Sequence, residues 1–321
     1  MKQENTYSIY LGPSRENQYE ILRVDEVSDD WNRCCCSPYH PLRLEVRQYV
    51  PVPGDANASD FSHLTSDVIN DFSRFTGGVD RQQALRNYYL SQPPLVSLVR
   101  NDGMRCCYKP PCKVLNCCVC LPVCQDGMTA YAGPVQDELK DDGKPKEAGR
   151  PYNLDRSKAI ASVIQPQFAG WFMPTVHLRT EDISEESAPF AKVQGPFCFG
   201  GFSDLCCDFN FPISYYTSAE KTGDVGKIVV LKPSNLGMAI TELISDSEFF
   251  SIQFNENAKL DVSQKVAILT AQLLLDYMLF DGNTEKIKDT PDGTTYYCCY
   301  MSFIGWLIPC SCTIPKNKGG D

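Results

Sequence analysis

Short runs of β-branched and aromatic residues, separated by clusters of Gly, Pro, Asn and Asp, recur along most of this chain. The runs that favour strands are Tyr19–Arg23, Leu42–Tyr49, Leu95–Val99, Ala161–Ile164, Val176–Leu178, Phe197–Phe199, Phe209–Ile213, Lys227–Leu231 and Phe249–Phe254. Residues Leu42–Arg47 alternate apolar and charged side chains, which is typical of a strand with one face in water. Many short strands and few helices predict a mainly β fold, either a sandwich or a barrel.

One long apolar segment, Val262–Phe280, interrupts this pattern and is predicted to be a helix. It would extend about 28 Å at ~1.5 Å per residue, close to the ~30 Å hydrocarbon thickness of a bilayer. However, it contains Lys265 and Asp276, and such residues cost about 2.5–3.5 kcal/mol each near the bilayer centre. We therefore predict a helix buried all round in the protein core, with a membrane span as the alternative. The residues that mark this central helix are Val262, Leu269, Leu273, Asp276 and Phe280.

Composition divides the chain into an N-terminal arm at residues 1–18, a main domain at residues 19–282 and a tail at residues 283–321. The main domain carries two predicted insertions. Apolar residues at about 54–94 recur at helical spacing, which indicates a helical insertion. Residues at about 134–157 are charged and rich in Gly and Pro, which is typical of a solvated loop.

Several motifs occur in the order found in one known family. They are Asn32–Cys35 followed by Pro41–Leu44, Ile164–Gln165, Gly195–Cys198, Cys206–Phe209, Val225–Ile228 leading into the acidic segment Ile244–Phe254, and Asp261–Val262 opening a helix that ends at Leu275–Phe280. On these motifs the chain resembles the phospholipid scramblase family. The resemblance covers about Tyr19 to Asp281, apart from the two insertions.

The resemblance implies a tubby-like domain, a closed twelve-stranded β-barrel around a buried C-terminal hydrophobic helix. It implies ATP-independent, calcium-stimulated movement of phospholipids in both directions between bilayer leaflets. It also implies attachment to the cytoplasmic face of a membrane, which we expect to be the plasma membrane, with phospholipids as partners and with oligomers allowed. Two other interpretations stay open. One is a non-transporting tubby-like module that binds lipid or protein at a membrane, and the other is a cysteine-rich metal-binding protein.

The chain contains 17 cysteines, and its first twelve residues lack the features of a secretory signal. We therefore expect a reducing compartment, in which thiols stay free, bind metal or carry lipid. Seven of the cysteines form a cluster beside Arg105, Lys109 and Lys113. The cluster consists of Cys106, Cys107, Cys112, Cys117, Cys118, Cys120 and Cys124.

Palmitoylation is the predicted fate of this cluster, as it is in the family that the chain resembles. Stable anchoring generally takes two acyl chains, at about 0.8 kcal/mol per buried CH₂, and adjacent cysteines can supply them. Zinc is the rival interpretation, because Cys117, Cys120 and Cys124 have the short spacings of metal ligands. A structural zinc site usually shows two separated pairs of ligands, however. Unmodified thiols are the third possibility.

Calcium is the one cofactor that we expect, with Asp246, Glu248 and Asp261 as its candidate ligands. Calcium takes about six to eight oxygen ligands, and a 12-residue loop usually supplies most of them. A loop counted from Asp246 supplies few oxygen-bearing side chains at the required positions, so any site is expected to be weak. The alternative interpretation of Phe250–Phe254, which alternates, is the last strand of the barrel.

The charge balance and the histidines exclude several function classes. The formal net charge of −10 argues against nucleic acid as a partner, because phosphates require a basic surface. The three histidines, His40, His63 and His177, are scattered, and the motifs of metalloproteases, serine hydrolases and P-loop proteins do not occur. We therefore predict no covalent catalysis.

The centre of the tail, residues 293–315, has no charged residue and is rich in aromatic residues. Its cysteines are Cys298, Cys299, Cys310 and Cys312. Because Tyr and Trp favour the membrane–water interface, one hypothesis is a second, interfacial anchor. The alternative is an extra strand that packs against the barrel. Pro309 argues against a continuous helix.

Overall fold

The computed structural model describes residues 5–12, 19–27, 42–48, 92–100, 125–137, 152–180, 183–184, 187–217, 220–234, 249–280, 286–291 and 293–316. Strands make up 56% of this part, beside one helix of 19 residues, which confirms the mainly β prediction. The strands are β1 (Thr6–Leu11), β2 (Tyr19–Val27), β3 (Arg43–Gln48), β4 (Val96–Arg100), β5 (Gly127–Ala132), β6 (Gln136–Asp137), β7 (Tyr152–Asn153), β8 (Ala159–Ile164), β9 (Thr175–Arg179), β10 (Ala191–Gln194), β11 (Cys198–Phe199), β12 (Phe209–Thr217), β13 (Glu220–Leu231), β14 (Phe249–Phe254), β15 (Ile287–Thr290), β16 (Gly293–Phe303) and β17 (Trp306–Pro315). Helix α1 covers Val262–Leu275 and continues as a π-helical turn over Asp276–Phe280.

Eleven strands form one antiparallel sheet in the order β1-β2-β3-β4-β5-β8-β9-β10-β12-β13-β14. Apart from detours through β6–β7 and β11, each strand pairs with the next along the chain, so the sheet is a meander. Strand β1 comes from the segment 1–18 and pairs with β2, from Thr6 opposite Asp25 to Leu11 opposite Tyr19. Within the described ranges the pairing runs from β1 to β14 and does not join these two strands. The closed twelve-stranded barrel therefore stays a prediction.

Helix α1 lies against β5, β8 and β9 of this sheet. Its residues Ala267, Ile268, Ala271 and Leu274 are fully buried and belong to one core cluster with apolar side chains from the sheet. Each large apolar side chain that is buried contributes about 1.5–3 kcal/mol. The helix is therefore a central part of the core, as the sequence predicts.

The five residues chosen to mark the helix differ in their environments. Leu273, Asp276 and Phe280 are buried and Leu269 is half-buried, but Val262 is 77% exposed. The prediction of a helix buried all round is therefore wrong for its first turn, which projects beyond the strands that cover the rest. Among the residues that the structure describes, no helix has both the length and the apolar character needed to cross a membrane.

The charged face of β3 is covered, although its alternation predicts a face in water. Arg43, Glu45 and Arg47 are each at most 9% exposed. The guanidinium of Arg43 donates to the carbonyl oxygen of Val135 at 2.9 Å and lies 5.4 Å from the centre of the Tyr152 ring. Both arginines also form ion pairs with the Glu45 carboxylate. The prediction was wrong because opposite charges on one strand neutralise each other, which lets the segments around β6 and β7 pack over them.

The tail residues form a second, smaller sheet in the order β11-β16-β15, with β17 paired to β16. Strands β16 and β17 make a long hairpin whose two turn residues, Ile304 and Gly305, have φ of 51° and 76°. Positive φ at both central residues is typical of the tight turns that match the twist of a hairpin. The tail is therefore folded as strands, and its role as an interfacial anchor stays a prediction.

The two predicted insertions are only partly described. Residues 54–91 of the first insertion and residues 138–151 of the second lie outside the described residues. At the ends of the second, β6 pairs with β7, with Gln136 opposite Asn153 and Asp137 opposite Tyr152.

An ion pair between β4 and the start of β5 is buried within the fold. Arg100 has no exposed surface, and its Nε donates to Oδ1 of Asp126 at 2.9 Å. Its Nη2 contacts the other oxygen of the same carboxylate. Asp126 also accepts from the backbone N–H of Gly127 at 3.0 Å. Because both charges are buried, removing one of them deprives the other of a close opposite charge in the core, which is strongly destabilising.

We expect Asp126→Asn to lower the free energy of unfolding by about 3–5 kcal/mol. Denaturant unfolding of the purified chain measures the change. The matched control is Asp224→Asn, because Asp224 pairs with Lys221 on the surface with both side chains about half exposed. This control should change the free energy of unfolding little, because an exposed ion pair is screened by water. Equal, small effects of the two substitutions would contradict the assignment of Arg100–Asp126 as an essential buried pair.

Candidate functional site

Most of the residues predicted for acylation and calcium binding fall on parts of the chain that the structure does not describe. The residues outside the described ranges are Cys106, Cys107, Cys112, Cys117, Cys118, Cys120, Cys124, Asp246 and Glu248. Of the calcium candidates, only Asp261 is described. Palmitoylation and calcium binding therefore stay predictions.

Asp261 begins helix α1. Its Oδ1 accepts from the backbone N–H of Gln264 at 2.8 Å, and the Gln264 side chain accepts from the backbone N–H of Asp261 at 3.1 Å. This reciprocal pair is a capping box, which satisfies two backbone donors that the first turn would leave unpaired. Within the described part of the chain, no group of three His, Cys, Asp or Glu side chains is arranged to hold a metal ion.

The other end of the helix is tied to β1 and β2 by buried polar groups. The hydroxyl of Tyr7 donates to Oδ2 of Asp276 at 2.7 Å, and the hydroxyl of Tyr277 donates to Oε2 of Glu26 at 2.9 Å. Burial, and next to it the Asp276 charge, raise the pKa of Tyr7 well above its usual value. Burial and then the Glu26 charge raise the pKa of Tyr277 in the same way. Both phenols therefore stay protonated and act as donors that hold the helix in place.

Exposed apolar side chains gather where the loop before β9, the segment before β11 and the β16–β17 turn meet. We call this set the aromatic surface. It consists of Trp171, Phe172, Met173, Phe197, Trp306 and Ile308, which are each 39–55% exposed. The Phe172 ring lies 6.2 Å from the ring of Phe197 and 5.1 Å from that of Phe303, measured between centroids. Phe303 is in turn the cross-strand partner of Trp306, so the surface is continuous.

The backbone beneath the aromatic surface is strained and is tied to the β16–β17 turn. Phe168, Ala169 and Trp171 have positive φ of 57°, 53° and 64°, which costs of order 1–3 kcal/mol per non-glycine residue. The N–H of Ile304 donates to the Trp171 carbonyl oxygen at 2.7 Å, which ties this loop to the hairpin turn. Backbone strain of this kind persists where contacts with the surrounding structure hold the strained conformation, and it is common at ligand-binding sites.

The segments that make the aromatic surface carry no charge. Residues 165–174, 195–200 and 293–315 contain no Asp, Glu, Lys or Arg. A continuous apolar surface of this kind on a chain with a net charge of −10 is typical of a site of interaction with an apolar partner. The sequence analysis found the tail part of this surface, but it missed the loop Phe168–Met173. The signal was the uncharged run of large apolar residues around Gly170, between two strands.

A comparison of the chain with protein-family models, with curated proteins and with solved structures finds no match. The resemblance to phospholipid scramblases therefore depends on the sequence motifs given above. The described residues define a mainly β protein in which a meander sheet packs on one hydrophobic helix and an uncharged aromatic surface lies at the junction of its two sheets.

The capping role of Asp261 can be separated from a role as a calcium ligand. We expect Asp261→Ala to lower the free energy of unfolding by about 0.5–2 kcal/mol. Asp261→Ser should restore most of the loss, because a Ser hydroxyl caps a helix but supplies no carboxylate. Thermal unfolding with and without calcium measures both effects. If calcium stabilises the wild type and Asp261→Ser abolishes that stabilisation, Asp261 is a ligand as well as a cap.

Proposed function

We propose that this protein acts at a phospholipid bilayer as a scramblase-like protein, and that the aromatic surface is its contact with the bilayer. The observation that carries the proposal is the exposure of Trp171, Phe172 and Trp306 on uncharged segments. Trp and Tyr side chains concentrate at the membrane–water interface, where an apolar ring and a polar N–H or O–H group are both accommodated. An acidic chain that binds lipid in this way does not need a basic patch.

The activity that we propose is ATP-independent, bidirectional movement of phospholipids between leaflets, with calcium as a stimulator. The scramblase-like motifs support this proposal, as does the packing of α1 against the meander sheet. We further propose that the sheet closes into the tubby-like, twelve-stranded barrel. The weak calcium site would use Asp246, Glu248 and Asp261.

Attachment by acylated cysteines would hold the protein on the cytoplasmic face of the plasma membrane. The cysteines proposed for palmitoylation are Cys106, Cys107, Cys112, Cys117, Cys118, Cys120 and Cys124. The acyl chains and the aromatic surface would act together, because stable attachment to a membrane generally needs two anchoring elements. Phospholipids are the proposed partners, and oligomers are compatible with this arrangement.

A second candidate function is a non-transporting module that holds lipid or protein at the bilayer. The specific observation in its favour is the position of helix α1, whose residues Ile268, Leu274 and Tyr277 are fully buried. Hydrogen bonds of the last turn to Tyr7 and Glu26 fix it there. A module that binds through its surface leaves this core intact.

Bilayer binding through the aromatic surface can be tested with the purified chain and vesicles of phosphatidylcholine. We expect the double substitution Trp171→Ser, Trp306→Ser to weaken flotation with the vesicles about tenfold or more, because each buried aromatic side chain contributes about 1.5–3 kcal/mol. Raising the salt concentration should change the binding little, because these segments are uncharged. The control is Tyr10→Ser, since Tyr10 is 51% exposed on β1, which is not one of the segments that form the aromatic surface. Equal binding by the double variant and the control would contradict the proposed contact.

The two candidate functions are separated by following a fluorescent lipid between the leaflets of the same vesicles, without ATP and with or without calcium. Transfer between leaflets supports the scramblase-like activity. Binding without transfer supports the non-transporting module. If the protein neither binds the vesicles nor moves the lipid, both proposals are wrong.

A further inference from the structure

Five of the seven described cysteines lie together on the small sheet of the tail. We call them the thiol cluster: Cys198, Cys298, Cys299, Cys310 and Cys312. The Cys299 thiol interacts with those of Cys198 and Cys310, and the Cys298 thiol interacts with that of Cys312. The remaining two described cysteines, Cys206 and Cys207, are neighbours in a different segment.

A β-bulge in β16 brings the four hairpin cysteines of the thiol cluster to one face. The pairing shifts between Tyr297 and Cys299, so Cys298 is the extra residue. In a regular strand, Cys298 and Cys299 would point to opposite faces. A bulge changes the direction of a side chain. Here it brings the thiols of Cys298 and Cys299 to the face of the hairpin on which Cys310 and Cys312, two residues apart on β17, both lie.

Cys299 and Cys310 have the geometry that a disulfide needs. They are direct cross-strand partners in an antiparallel pair, and such partners have Cα atoms about 4.5–5.5 Å apart. Disulfides accept Cα separations of about 4.4–6.8 Å. Strand β11 places Cys198 opposite Met301 on the other side of β16, so its thiol reaches Cys299 from the far side. Cys299 thus has a partner thiol on each side.

The thiol cluster is reduced and accessible in this structure. All five cysteines are free, with Cys298 and Cys312 exposed and the other three half-buried. Removal from water, followed by interaction with Cys198, raises the pKa of Cys299 above that of an ordinary thiol. The interaction with Cys299, followed by removal from water, raises the pKa of Cys310. Because the thiolate is the nucleophile, the raised pKa values slow the attack of these thiols on a disulfide oxidant at neutral pH.

We propose that Cys299 and Cys310 form a reversible redox site in which a cross-strand disulfide is made by exchange with a disulfide oxidant such as oxidised glutathione. A protein thiolate attacks the oxidant, which forms a mixed disulfide and releases one glutathione thiol. The second protein thiolate then attacks the mixed disulfide and releases the second glutathione thiol. The two protein thiols lose two protons and two electrons, and the oxidant is reduced to two thiols. Cys198 is placed to attack Cys299 in the disulfide, with Cys310 as the leaving thiol.

This inference does not depend on the proposed function at a bilayer. It requires only the register of the hairpin and the contacts among the thiols. Fatty acylation of the same cysteines is a different modification, and it would leave the hairpin strands without a covalent bond between them.

Peptide mapping of the folded, full-length chain after equilibration in oxidised glutathione tests the proposal. Free thiols are alkylated first, and the crosslinked peptides are then assigned by fragmentation. We expect a Cys299–Cys310 crosslink that is two hydrogens lighter than the reduced pair and is reversed by excess reduced glutathione. Glutathionylation of Cys299 and Cys310 without a crosslink would overturn the proposal, as would crosslinks from Cys299 to cysteines outside the thiol cluster.

Two substitutions extend the test. Cys310→Ser should abolish the crosslink and divert Cys299 to Cys198, whereas the matched control Cys206→Ser should leave the Cys299–Cys310 crosslink unchanged. If Cys310→Ser does not fold, the wild-type map still decides the matter, because it needs no variant. An unchanged pattern of Cys299 modification in folded Cys310→Ser would also contradict the proposed pairing.

Discussion

The contact between helix α1 and strands β5, β8 and β9 is the constraint on which the rest of the structure depends. A helix with an apolar surface on most sides is stable in water only when another element covers it, and the inner face of the sheet has the same need. Small residues at the contact, Ala267 and Ala271, let helix and strands approach closely. The buried hydroxyl of Thr270 donates to the carbonyl oxygen of Val266 at 2.7 Å, so it needs no partner from the sheet.

The same helix explains why the first strand belongs to the sheet. Tyr7 on β1 reaches Asp276, 269 residues later in the sequence, and Tyr277 reaches Glu26 on β2. A buried carboxylate that lacked these hydrogen-bond donors would destabilise the fold by several kcal/mol, about as much as the breaking of a buried ion pair. The polar end of the helix and the N-terminal strands therefore require each other, which connects segments that are 251 and 269 residues apart in a chain whose other pairings are mostly local.

The sequence predicted those elements of the fold that depend on local periodicity and residue type. The helix was predicted correctly, and each predicted strand run overlaps a strand of the structure, because β-branched and aromatic runs and an unbroken apolar segment have few alternative structures. Strand β3 shows the limit. Its alternation fixed the apolar face, but whether Arg43 and Glu45 face water depends on a covering segment distant in sequence. The aromatic surface and the thiol cluster also required tertiary placement, since the bulge at Cys298 has no signal in residue type.

The aromatic surface and the thiol cluster each include residues on one face of the β16–β17 hairpin. Beyond the bulge the pairing is regular. The pair Cys299–Cys310 and the pair Phe303–Trp306 therefore lie on the same side of the hairpin, with one other pair between them on that side. The opposite side carries Tyr300, which is buried. A crosslink at the thiol pair would fix the register of the aromatic pair, because slippage by one residue would turn the aromatic pair to the other side. Oxidation of the two thiols would then restrict the strands that carry the aromatic surface, without changing the aromatic side chains themselves.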